Sequence, residues 1–142
     1  MKKALIVLAF LFLLTKVCIA QPSINASVDR VKLSTDETLT YKLTIAFSSK
    51  NIPQSKFPEF KDFYLVSEAE SSTISFLKEG AKTILVYAFI LAPKNTGKFS
   101  IEPAQIKTEG KTFTSEGFEI EITQGKIRPN HLPDTQEPKI TL

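Results

Sequence analysis

Tryptophan is absent from this chain, and cysteine and histidine occur once each. Each gap closes off a class of chemistry. Without tryptophan there is no indole platform on which a sugar or a base could stack. The single cysteine, Cys18, lies inside the first apolar segment, so the remainder can form no internal disulfide and must be held by its core. The single histidine, His131, stands close to the carboxyl end, after the last strand-like segment. A hydroxyl or thiol nucleophile activated by imidazole, or a His/Cys zinc cluster, therefore lacks its parts. The five glycines are dispersed and build no phosphate-binding loop, and no acidic loop has the spacing of a calcium site. No catalytic, cofactor-binding or metal-binding residue is assigned, and the chain does not read as an enzyme.

Long hydrophobic runs are also scarce. The one that occurs, residues 4–14, follows Lys2-Lys3 and precedes Val17-Cys18-Ile19-Ala20. A basic start, a short apolar stretch and small residues at the two positions a signal peptidase reads describe a secretory leader, expected to be cleaved after Ala20. A lipid anchor on Cys18 is disfavoured by Thr15-Lys16-Val17 before it. No second run reaches the ~20 apolar residues of a membrane span, so an exported, periplasmic or secreted product without a transmembrane anchor is expected. The leader also accounts for the net charge. Of 18 basic residues, Lys2, Lys3 and Lys16 lie in it, and the 15 that remain balance 15 acidic ones. A balanced surface offers no electrostatic footprint for nucleic acid or anionic membrane.

What the chain does contain is strand pattern. Residues 83–91 carry no charge, glycine or proline and are rich in β-branched and aromatic side chains, which marks a buried central strand. Pro93 and Asn95-Thr96-Gly97 then turn the chain into Phe99-Ser100-Ile101, so residues 83–104 are expected to form a hairpin. Upstream, residues 23–33 read as a strand kinked near Asp29-Arg30. Leu39, Tyr41, Leu43, Ile45 and Phe47 alternate with polar residues as a half-buried strand. Residues 48–62 read as a connection between sheets. Short strands are expected over residues 63–67, 71–77, 111–114 and 117–123, with hairpin turns at Lys78-Glu79-Gly80 and Glu109-Gly110. Seven to eight short strands without helical periodicity predict an all-β, immunoglobulin-like antiparallel sandwich over residues 21–124. From residue 125 the apolar pattern stops and a flexible, proline-containing tail is expected to residue 142.

Within that frame the carboxylate pairs Glu68/Glu70 and Glu119/Glu121 are expected on outward faces, where charge keeps a sheet soluble. Asp29, Asp36, Glu37, Glu59 and Asp62 fall in turns and read as solvated turn residues rather than a cation site. Phe57, Phe60 and Phe63 recur at intervals of three around Pro58. They are expected to plug one end of the sandwich, and a ligand-facing aromatic cluster is the alternative. In the central strand both alternating sets are apolar. Leu85, Tyr87, Phe89 and Leu91 are the bulkier set and are assigned to the core. Ile84, Val86 and Ile90 then face outward as a docking patch for a partner or a second copy, unless residues 48–62 or the tail fold over them.

Taken together, residues 26–123 resemble the amino-terminal domain of the BatD oxygen-tolerance family of bacterial aerotolerance operons. The resemblance is carried by Ala26-Ser27-Val28-Asp29, by Phe57-Pro58-Glu59-Phe60-Lys61-Asp62-Phe63, and by Tyr87-x-Phe89-x-Leu91-x-Pro93 continuing into Gly97-x-Phe99-x-Ile101-x-Pro103. Ile106, Gly110-Lys111-x-Phe113-x-Ser115 and the closing strand complete it. It implies an envelope protein with no enzymatic activity and no catalytic residues to carry over, associated with partners bearing von Willebrand A-type domains and with AAA-type ATPases. Family members are typically longer, with several such domains and a transmembrane helix. Here one domain and a short tail are expected. Asp62 stands where the family more often has glycine, a change that a turn accommodates because aspartate tolerates unusual backbone angles. The functional expectation is a periplasmic interaction module linked to envelope or oxidative stress tolerance, with a small secreted ligand- or glycan-binding module as the alternative.

Overall fold

The computed structural model describes residues 21–48 and 50–126. The expected leader, and the expected tail beyond residue 126, lie outside the described residues. Ten strands follow in chain order: β1 (Ser23–Val28), β2 (Lys32–Ser34), β3 (Leu39–Phe47), β4 (Gln54–Lys56), β5 (Phe63–Leu77), β6 (Gly80–Pro93), β7 (Gly97–Ile101), β8 (Gln105–Thr108), β9 (Lys111–Thr114) and β10 (Phe118–Thr123). Among the described residues there is no helix. The all-β sandwich expected from the sequence is what forms.

β3 explains the architecture best. Its odd-numbered side chains, Leu39, Tyr41, Leu43, Ile45 and Phe47, are all buried, whereas Thr40, Thr44 and Ala46 are half-buried and Lys42 is exposed. Only an extended chain with one face on a core gives that alternation. β3 is flanked by β1 and β6, and β5 completes an antiparallel sheet of order β1-β3-β6-β5. Opposite it lie β2-β10-β7 and β4-β8-β9. Leu33, Ile101, Ile120 and Ile122 come from the first of these, and Ile106 from the second; with Ala104 they join the β3 and β6 side chains in one buried cluster. At ~25 cal/mol per Å² of apolar surface, this burial is what replaces the missing disulfides.

The kink expected near Asp29-Arg30 turns out to be a change of sheet. β1 pairs antiparallel with β3, and β2 pairs parallel with β10 in the facing layer. Asp29 secures the crossing: its N–H donates to Thr40 O at 3.1 Å and its Oδ1 accepts from Thr40 N at 2.8 Å. Beyond β2, Glu37 Oε2 accepts from Ser34 N at 2.8 Å and from Ser34 Oγ at 3.0 Å, while Arg30 reaches both Asp29 and Glu37.

Three expectations need correction. Residues 83–104 do not form a hairpin: β6 has β3 and β5 on its two edges, so both ladders are taken and β7 must pair elsewhere, with β10. The proline-rich connection over residues 48–62 contains a short strand, β4, which pairs with β8. The two strands expected between residues 63 and 77 are one, β5, 15 residues long and interrupted only by a bulge at Val66. Among the described residues the strand total is ten rather than seven to eight, because the first strand divides and β4 and β8 are added, which outweighs the merger that makes β5. The two hairpin turns stand where expected. Leu77 pairs with Gly80 around Lys78-Glu79, and Thr108 pairs with Lys111 around Glu109-Gly110. Both residues of the second turn have positive φ, 50° and 75°, the geometry that matches strand twist in a two-residue hairpin.

Candidate functional site

The segment leading into β5 carries the aromatic triplet, and three hydrogen bonds fix it. Phe63 N donates to Phe60 O at 3.0 Å, Lys94 N to Asp62 O at 3.1 Å, and Lys94 Nζ to Lys61 O at 2.8 Å. The same ammonium lies 5.2 Å from the centre of the Tyr64 ring. Asp62 does not take the unusual backbone angle expected of it; Phe60 does, at φ 45°. A bulky residue holds that angle only when its surroundings over-determine it. Ring packing does so here, with Phe60 5.2 Å from Tyr41 and 5.3 Å from Phe89.

Phe57 stands edge-on to Tyr87 at 4.9 Å and to Phe89 at 5.6 Å, and Phe63 is buried. All three rings are thus spent on the core margin. The neighbouring dent, lined by Glu59, Phe60, Lys61, Asp62, Ser100 and Glu102, has a volume of about 40 Å³. Small-ligand sites usually enclose ~300–1,000 Å³. Among the described residues, no group of three His, Cys, Asp or Glu side chains could hold a metal ion, and no helix is long and apolar enough to cross a membrane. Asp29 and Glu37, read from the sequence as solvated turn residues, are engaged in the hydrogen bonds of the sheet crossing.

The second candidate, Ile84, Val86 and Ile90, lies on β6 with the buried set Leu85, Phe89 and Leu91 on the opposite face. Tyr87 belongs to the buried set but is only half covered, by Phe57. The register places Ile84 between Ala46 and Thr73, Val86 between Thr44 and Ser71, and Ile90 between Thr40 and Ser67. All three isoleucine and valine side chains are half-buried. Short neighbours on β3 and β5 therefore leave an apolar stripe down the middle of the outer face. Phe57 covers Tyr87, on the other face, so its contacts do not bring residues 48–62 over the stripe.

A third surface was not anticipated. Among the described residues β5 ends its sheet, pairing with β6 on one side only, and every residue from Tyr64 to Leu77 except the half-buried Ser75 is exposed. Tyr64, Leu65, Val66, Ile74, Phe76 and Leu77 are all more than half exposed. Among the described residues, Val31 and Ile52 are the only other large apolar side chains so open. Counting the uninterrupted run without glycine or proline between residues 60 and 79 would have revealed one long strand.

Glu68 and Glu70 are also placed differently from the expectation. Glu68 pairs with Phe89 and Glu70 with Tyr87, so both share the face of the core set, beyond its covered part. Burial raises the Tyr87 phenol above its usual range, and the carboxylate of Glu70, with Glu68 behind it, adds to the rise.

The family model described as the BatD DUF11-like domain matches residues 26–122. Neither the curated proteins nor the solved structures returned a match.

Proposed function

The chain belongs to the BatD family, and from that premise we propose that it is a non-enzymatic interaction module of the bacterial periplasm, exported by a leader removed after Ala20. Its partner on this reading is an envelope protein, of which a von Willebrand A-type domain protein is the first to test, and its setting is envelope or oxidative stress tolerance. The observation that supports the reading is the outer stripe of Ile84, Val86 and Ile90, apolar side chains at the centre of a sheet face with short residues directly opposite them on β3 and β5. Contiguous apolar surface of this kind commonly marks a contact site. The ligand-binding alternative is not carried forward, because Phe57 and Phe60 pack against Tyr41, Tyr87 and Phe89, and Phe63 is buried.

The experiment is co-purification of the periplasmic form, verified by intact mass to begin at Gln21, with its envelope partner before and after Val86→Lys together with Ile90→Lys. At half-buried positions the lysine stems can lie along the sheet with their ammonium groups in water. Folding should survive with a loss of about 1 kcal/mol, and association should disappear. Collapse of the fold, costing several kcal/mol, would show instead that the stripe is internal core, and retained association would remove it from the interface.

A further inference from the structure

We propose that the open edge of β5 is a strand-addition site for an extended segment of another protein, one with a basic centre and apolar ends. The inference rests on the interaction reading above and names a particular surface and partner chemistry for it. Along 15 residues, the edge of β5 away from β6 has no strand beside it among the described residues. Every second residue there directs its N–H and C=O to that side, which is a template for another strand. Exposed edges are ordinarily blunted by lysine, proline or short length. β5 contains no lysine, arginine or proline and is the longest strand of the domain. Its only interruptions are the bulge at Val66 and the two glutamates.

The side chains along this edge are ordered by type. Tyr64, Leu65 and Val66 form one apolar end, and Ile74, Phe76 and Leu77 the other. Between them stand Ser67, Glu68, Ala69, Glu70, Ser71, Ser72 and Thr73, short residues that leave the backbone accessible, plus two carboxylates on one face. Neither glutamate takes part in any of the ion pairs among the described residues. A second copy is a poor occupant. Antiparallel self-pairing brings apolar ends together but also places the two acidic centres side by side, and like charges across a ladder are destabilising. A strand with lysine or arginine two residues apart at its centre keeps the apolar match and supplies the opposite charge. Main-chain pairing gives affinity in such additions, and alternate side chains give choice of partner.

The probe is a synthetic amidated strand with two lysines two residues apart, flanked on both sides by threonine and valine, and a twin with glutamates in place of the lysines. Binding to the full periplasmic chain is measured by fluorescence anisotropy, and backbone protection by amide hydrogen exchange. The lysine strand should bind roughly tenfold or more tightly than its twin, since two attractive cross-strand pairs become two repulsive ones. Glu68→Lys with Glu70→Lys should reverse the order. New protection should fall within residues 64–77. Ser71→Pro and Ser72→Pro supply a second arm, because adjacent residues direct their N–H groups to opposite edges. The proline that leaves the β6 ladder intact should keep the melting temperature and abolish binding; its neighbour should destabilise. Equal affinity for the two strands, or binding without protection of β5, overturns the proposal. So does protection that grows with protein concentration alone, which would make a second copy the occupant. If the probe fails while an envelope partner is still captured in a manner sensitive to Val86→Lys and Ile90→Lys, only this inference falls.

Discussion

Tyr41 carries the sharpest tension in the core. Its ring stands near Phe60, Phe89 and Phe118, at centroid distances of 5.2, 6.2 and 6.2 Å, and its side chain is fully buried. Among the described residues, however, the hydroxyl has no hydrogen-bond partner. Ser115 Oγ, which accepts from Ala104 N at 2.9 Å and donates to Glu116 O at 3.0 Å, partly steadies the ionised form without reaching bonding geometry. Burial therefore dominates and raises the phenol above its ordinary value of 10.0. Below pH ~10 the group is neutral in both states and adds no pH dependence. Above it the unfolded chain loses the proton while the folded chain keeps it, so stability declines as pH rises toward the folded value. Tyr41→Phe should leave stability at neutral pH unchanged or raise it by about 1 kcal/mol, because an unpaired buried hydroxyl is removed. It should also flatten the decline above pH 10. Urea titrations of both proteins at neutral and alkaline pH check this, and a loss of more than ~2 kcal/mol at neutral pH would mean the hydroxyl is bonded after all.

At the scale of elements, what was legible in the sequence depended on whether a local rule held along a whole strand. β3 was readable because apolar and polar residues alternate from Leu39 to Ile45. In β5 the rule fails at one residue. Phe63 and Leu65 pair with Pro93 and Leu91, which puts odd positions on the core face, but the unpaired Val66 shifts the count, and Glu68, Glu70, Ile74 and Phe76 take that face instead. No side-chain pattern announces a bulge. The same applies to the mistaken β6–β7 hairpin, whose turn residues are sound; the competing claim of β5 on the edge of β6 is a tertiary fact. The apolar stripe of Ile84, Val86 and Ile90 was readable as a doubly apolar strand, whereas the unpaired edge of β5 needed the sheet order. The bulge yields a prediction of its own. Leu65 and Ser67 oppose the adjacent residues Leu91 and Ile90, so deleting Val66 removes only the extra residue and should leave a folded protein. The straightened strand should then associate at lower concentration, because a bulge twists an edge away from neighbours. Light scattering against concentration tests it, and unchanged scattering would show that the glutamates alone guard the edge.

Across the whole molecule, three sheets could behave as one body or as a sandwich with an independent appendage. β4-β8-β9 is the small one, joined to neither of the others by a ladder, and backbone pairing alone would have it melt first. Its anchoring side chains argue otherwise. Ile106 and the adjoining Ala104 are fully buried in the cluster that also holds Leu43, Ile45 and Ile120, and Phe113 packs against that cluster. Ser115 N donates to Ala104 O at 2.8 Å, and Ser115 Oγ accepts from Ala104 N, so the strand ends are tied at the same point. With no disulfide in the described residues to substitute for packing, the small sheet should share the fate of the core. Ile106→Ala is therefore expected to cost about 2–5 kcal/mol and to lower the melting temperature of the entire domain by roughly 10–20 °C. The measurement is a thermal melt followed both by far-ultraviolet circular dichroism and by tyrosine fluorescence. Coincident curves displaced together would fit one cooperative unit. A low-temperature step confined to one probe, with the main transition unmoved, would show that β4-β8-β9 unfolds on its own and that the core stands without it.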